Sequence, residues 1–178
     1  MILWMVNMYH DKIFKNMEEK TLKVFYCLKS LIQGEIQLGN SRRICNQIVI
    51  GYKQLCKIVF ERYNLDIQYH LELGELLGII ANVAAKQNLP ILSSNIMPLN
   101  RKIPSVGYYR MAVSNNLYGD DGQLDISKQS LLSKEVLQKR GAFVNKQLEQ
   151  LSSLTENDFQ VIEENLKVEL VRIVNKKD

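Results

Sequence analysis

Arg101, Lys102 and Arg110 bracket a Pro104-x-x-Gly107 turn in the stretch LNRKIPSVGYYRMA, residues 99–112, with apolar runs on either side. Adjacent cations on a proline-restricted turn gain nothing from each other in folding, and their guanidinium and ammonium groups are natural partners of phosphate oxygens. Three more cations, Lys53, Lys57 and Arg62, lie in the helix expected over residues 52–63 and can track a nucleic-acid backbone. In the helix expected over residues 68–87, Asn82 carries the amide that reads an adenine edge and Lys86 an ammonium for a phosphate. Glu72 and Glu75 near the start of that helix would face the negative field of DNA, which counts against deep major-groove reading. These eight residues form the candidate nucleic-acid-binding set.

Other chemistry is thinly represented. Glu72 and Glu75 share a helical face without a partner motif, and Glu18-x-Lys20 copies half of a nuclease signature on a helix instead of a strand. Asp120-Asp121-Gly122 with Asp125 has the flavour of a calcium loop, but position 12 counted from Asp120 is Leu131 where a bidentate Glu is needed. Cys45, Cys56 and His70 lack the paired spacing of a zinc site, and His10 and His70 have no nucleophile at a recognisable spacing. No catalytic residue, metal or cofactor is called for.

The 178 residues, 46% hydrophobic and 24% charged, suffice for one compact core. Three cysteines, Cys27, Cys45 and Cys56, are an odd number at irregular spacing, as expected of reduced thiols in a cytosol. No apolar run approaches the roughly 18 residues of a membrane span, and MILWMV is too short for a secretory segment. A soluble, cytoplasmic protein is expected. The net charge of +4 is unevenly spread: residues 1–60 hold nine Lys and Arg against four Asp and Glu, and residues 61–127 hold five against seven. Attraction to phosphate must therefore come from the first third and the 99–112 cluster.

Asp11 is placed to cap an amphipathic helix whose apolar positions Phe14, Met17, Thr21, Phe25, Leu28 and Ile32 step by three and four, with Gly34 just past its end. ICNQIVI, residues 44–50, predicts a strand, and helices follow over 52–63 and 68–87. On the second of these, Gly74, Gly78, Ala81 and Ala85 form a small-residue strip expected to receive another backbone closely. LPILSSNIM and SVGYYRMAV read as two strands of a hairpin. Helices over 128–151 and 156–174 close the chain, the last with Thr155 and Asp158 as a capping box. The expected fold is α+β and mainly helical: a winged-helix-like domain over 1–125, comprising an N-terminal helix and a two-stranded hairpin, and a helical extension over 126–178 that is partly separable and able to dimerise.

GYKQL at residues 51–55, LGELLGIIANVAAKQNLPILSSNIM at 73–97 and PSVGYYRMA at 104–112 resemble a bacterial winged-helix-like domain often written TYKELA, LGxxLGxIA, LPxLtslVVNKxTG and PGxGFF. That domain occurs alone or beside HNH endonucleases in genomic islands and phages, and is similar to the winged-helix part of alkyltransferase-like proteins. The resemblance spans roughly residues 48–112. Met97-Pro98-Leu99-Asn100-Arg101-Lys102 stands where the family pattern has Val-Asn-Lys-x-Thr-Gly, and the Pro-Cys-His-Arg nucleophile motif of the alkyltransferases is absent, so that activity is not implied. What the resemblance implies is a non-catalytic, nucleic-acid-binding protein of a phage, mobile element or genomic island. The alternative is a phage-encoded inhibitor that binds a protein of a host defence system, in the manner of an anti-CRISPR.

Overall fold

A computed structural model describes residues 2–39, 41–68, 72–98, 100–101 and 103–175, with the backbone alone for residues 2–15 and 174. Among them the chain forms six α-helices and one two-stranded antiparallel hairpin: α1 (Ile2–Ile32), β1 (Arg42–Ile44), β2 (Gln47–Val49), α2 (Tyr52–Tyr63), α3 (Leu73–Lys86), α4 (Val106–Ser114), α5 (Lys134–Leu151) and α6 (Glu156–Asn175). Short 3₁₀ turns cover Leu92–Asn95 and Gln129–Leu131. The protein is mainly helical α+β, and no described helix is long and apolar enough to cross a membrane.

Local chemistry sets most of the boundaries. α1 ends where Gly34 takes φ +74°, with Glu35 N donating to Ser30 O and Gly34 N to Leu31 O. α3 ends the same way on Asn88 (φ +57°) and α4 on Asn116 (φ +58°), each with the paired carbonyl-satisfying bonds of a left-handed helix stop. Ser133 caps α5 by accepting from Val136 N, and Thr155 and Asp158 form the expected reciprocal box ahead of α6. α1, however, begins at Ile2, so Asp11 lies inside the helix and does not cap it.

The largest departure from the sequence reading concerns the hairpin. Residues 44–50 do not form one strand: Cys45 (φ +48°) and Asn46 (φ +63°) make a two-residue turn, pairing Arg42 with Val49, Arg43 with Ile48 and Ile44 with Gln47. Two positive-φ residues are what a tight hairpin requires. The expected hairpin of 89–97 with 105–113 is absent among the described residues. Its first arm is the buried 3₁₀ turn followed by a single parallel bridge from Ile96 to Ile50, and its second arm is α4. Tyr108, Tyr109 and Ala112, buried at helical spacing, fit one face of a helix, and that face overrides the strand preference of the tyrosines. The hairpin therefore precedes the α2–α3 pair and does not follow it.

α3 is the central helix, with Leu73, Leu76, Leu77, Ile80, Ala81, Val83 and Ala84 buried against α1, α4, α6 and the 3₁₀ turn. Phe159, Ile162, Leu166 and Leu170 of α6 belong to the same continuous core, as do Val144, Leu148 and Leu151 of α5. The small-residue strip also behaves differently from expectation. A Cβ added at Gly74 or Gly78 would meet nothing within 4 Å, so neither glycine admits a neighbouring backbone. Gly78→Ala should therefore raise stability by about 0.5–1 kcal/mol through helix propensity alone, read as a higher urea midpoint at unchanged slope. A lower midpoint would mean that the strip is packed after all.

Candidate nucleic-acid interface

The seven described candidate residues are spread over α2, α3, α4 and the loop at Arg101. Lys57 pairs with Glu61 at 3.6 Å along α2, and Arg62 Nη1 donates to Ser30 Oγ at 3.3 Å. Lys53 is exposed in the first turn of α2. On α3, Asn82 Oδ1 accepts from Asn115 Nδ2 at 2.6 Å and Lys86 Nζ bonds Glu169 Oε2 at 3.2 Å. Those bonds tie Asn82 and Lys86 to α4 and α6, although both side chains stay exposed. Arg110 holds the connector after α4: its Nε donates to Leu124 O at 2.9 Å and its Nη2 lies 3.3 Å from Asp125. Glu72 is not an outward carboxylate either. It accepts from Lys20 Nζ at 2.8 and 3.0 Å and from Gln68 N at 2.9 Å. Partial burial pushes its pKa up, but these bonds outweigh that and hold it below the usual range. Lys102 lies outside the described residues, as does His70.

Arg101 is the exception, and it has a neighbour that the sequence reading missed. Arg42 Nη1 donates to the Arg101 carbonyl at 2.6 Å, and Arg101 N closes a turn onto Pro98 O at 3.0 Å. Arg43, exposed beside Arg42 on β1, donates to the Asn46 carbonyl of its own turn at 3.4 Å. Neither Arg42, Arg43 nor Arg101 forms an ion pair among the described residues, whereas Lys57, Lys86 and Arg110 all do. The signal that could have found the pair is negative. Residues 36–60 and 76–119 contain no Asp or Glu at all, while each carries four Lys and Arg. The Ile50–Ile96 bridge brings these two acid-free stretches side by side. Glu149 of α5 approaches the hairpin turn, its Oε1 4.0 Å from Cys45 Sγ.

The acidic segment after α4 has a structural use. Asp121 is 1% and Arg140 2% exposed. Arg140 grips the carboxylate at two points, Nε to Oδ2 at 2.6 Å and Nη2 to Oδ1 at 3.1 Å. Tyr118 Oη and Gln123 N supply two further donors at 3.1 and 3.0 Å. The guanidinium also lies over the Tyr109 ring, 4.6 Å from its centroid. Burial pushes the Asp121 pKa up, but the Arg140 and Gln123 bonds prevail and hold it below its ordinary value. Burial first, then the adjacent Asp121, pushes the Tyr118 hydroxyl up to about 12. Burial likewise raises the Cys27 thiol to about 11, an inert core group. No group of three or more His, Cys, Asp or Glu side chains able to hold a metal occurs among the described residues.

No family model, no curated protein and no solved structure matches this chain.

Asp121→Ala strands a buried guanidinium and should cost about 3–5 kcal/mol, measured by urea unfolding at pH 7. Because the carboxyl is depressed in the folded state, its contribution is fully present above the unfolded value of about 3.9 and is lost as pH falls below it. The difference between parent and Asp121→Asn should accordingly shrink between pH 5 and pH 2. An unchanged difference would rule out the carboxylate charge as its source.

Proposed function

We propose that this chain binds the phosphate backbone of a nucleic acid through the face made by β1, its turn and the loop segment at Arg101, without catalysing a reaction. One observation carries this reading: Arg42 and Arg43 of β1 and Arg101, whose carbonyl Arg42 reaches, come from two acid-free stretches, and none of the three forms an ion pair among the described residues. Four other cations, Lys20, Lys29, Lys86 and Arg140, are held in ion pairs that join different elements of the fold. In this account the hairpin serves as a wing that precedes the α2–α3 pair, and contact is with phosphates instead of base edges. A net charge of +4 supports modest affinity with strong salt dependence.

A protein is the second candidate partner, whether a host defence complex or a second copy of this chain. It is favoured by Val168 and Val171, about half exposed and one turn apart on α6, and by Phe60 on α2.

Arg43→Glu, at an exposed position, with Arg101→Glu, at a half-buried one, should leave stability within about 1 kcal/mol, since neither arginine has an ion pair to lose among the described residues. The same double change should weaken duplex binding and flatten the dependence of log affinity on log salt by roughly two units, since each phosphate contact contributes about 0.9. Fluorescence anisotropy of a labelled duplex at several salt concentrations measures both. If the parent binds neither duplex nor single strand at low salt, the proposal fails and the α6 surface becomes the leading candidate.

A further inference from the structure

A cleft of about 310 Å³ opens between α2, α3, the 3₁₀ turn and α4, within the size range of small-molecule sites. Leu77, Ile96, Met111 and the rings of Tyr52 and Tyr108 give it a largely apolar wall, and no charged side chain lines it. Gly74 and Gly78 keep it open, because any side chain there would project into unfilled space.

Two features give the cleft a polar end. Ser93, only 7% exposed, lines it, and its hydroxyl has no hydrogen-bond partner among the described residues. Independently, α4 begins at its rim with Ser105 and Gly107. Ser105 sits at the N-cap with extended backbone, where a serine ordinarily accepts a bond from the first turn. It makes no such bond, and its hydroxyl instead meets Tyr52 Oη at 3.1 Å. The first-turn N–H groups of α4 and the positive end of its dipole are thereby left uncapped by a side chain. The Tyr108 hydroxyl is committed elsewhere. It lies 2.7 Å from Ser94 Oγ, which itself donates to Ile91 O, so the tyrosine is the donor in that pair.

We propose that this cleft binds a small organic carboxylate, its apolar body against Leu77, Ile96 and Met111 and its carboxylate on the Ser93 hydroxyl and the N-terminal N–H groups of α4. An ammonium has no counter-charge there and opposes the helix dipole. A neutral alcohol of equal length gains the apolar contacts but no charge-assisted hydrogen bond. The site lies apart from the arginines of the hairpin face, and its test involves no nucleic acid.

The test is a titration of the full chain with sodium hexanoate, hexan-1-ol and hexylamine, followed by ¹H–¹⁵N NMR and calorimetry. Hexanoate should saturate, shift the amides of Gly107 and Gly78, and bind about tenfold more tightly than the alcohol or the amine, the size of one charge-assisted bond. Ser93→Ala should weaken hexanoate several-fold at unchanged fold. Gly78→Leu, which fills the cleft, should reduce binding by tenfold or more. If Gly78→Leu does not fold, Ser93→Ala and the three-ligand comparison decide the outcome. Absence of saturation, equal binding of hexanol, or undiminished binding to Ser93→Ala would each overturn the proposal.

Discussion

Two backbone hydrogen bonds at Ile50 organise the half of this molecule that carries the hairpin and the apolar cleft. Ile50 N donates to Asn95 O and Met97 N donates to Ile50 O, both at 3.0 Å, between residues that are fully buried. A pair of bonds in that setting is costly to break, because water cannot replace them. They fix the exit of β2 and the start of α2 against the 3₁₀ turn. With those positions fixed, Arg42 reaches the Arg101 carbonyl and Tyr52 meets Ser105. The basic face and the apolar cleft both depend on one short splice between distant parts of the chain.

The C-terminal helices brace that splice from behind. Gln147 Oε1 on α5 accepts from Ile91 N at 2.8 Å, just ahead of the 3₁₀ turn, and Gln47 Nε2 on β2 donates to Ser152 Oγ at 3.0 Å. Arg140 on the same helix holds the connector through Asp121. α6 closes the opposite side, where Tyr26 of α1 donates to Glu163 at 2.9 Å and Lys29 pairs with Glu156. A buried ion pair is worth less as net stability than as a constraint that only one arrangement satisfies. Here it ties an otherwise polar, acidic loop to α4 and α5.

What was legible in the sequence was local. The span of α2, the glycine stop of α1 and the Thr155–Asp158 box are each set by a few neighbouring residues, and the structure has all three. The hairpin was misplaced because its turn is Cys45-Asn46, which lacks the Asn-Gly or Asp-Gly signature that marks such turns. α4 was mistaken for a strand because Tyr108 and Tyr109 favour strands intrinsically, while their burial against Phe143 and Tyr118 depends on tertiary contacts that the sequence does not display. The same limit applies to the site. Arg101 stands out by its own loop, but Arg42 becomes its partner only through the Ile50–Ile96 crossing, and Asn82 and Lys86 acquire their bonds to Asn115 and Glu169 only because α4 and α6 return beside α3. Charge, read locally, gave a list of cations. Their grouping came from which of them the fold leaves without an acid.

Hydrogen exchange of the full chain with and without a short duplex at low salt tests the central claim most directly. If phosphate contact runs through the hairpin face, amides over residues 42–49 and 100–105 gain protection on binding, while those over 79–86 on α3 do not change. Protection centred on α3, or binding that leaves the hairpin amides unaltered, would contradict the account.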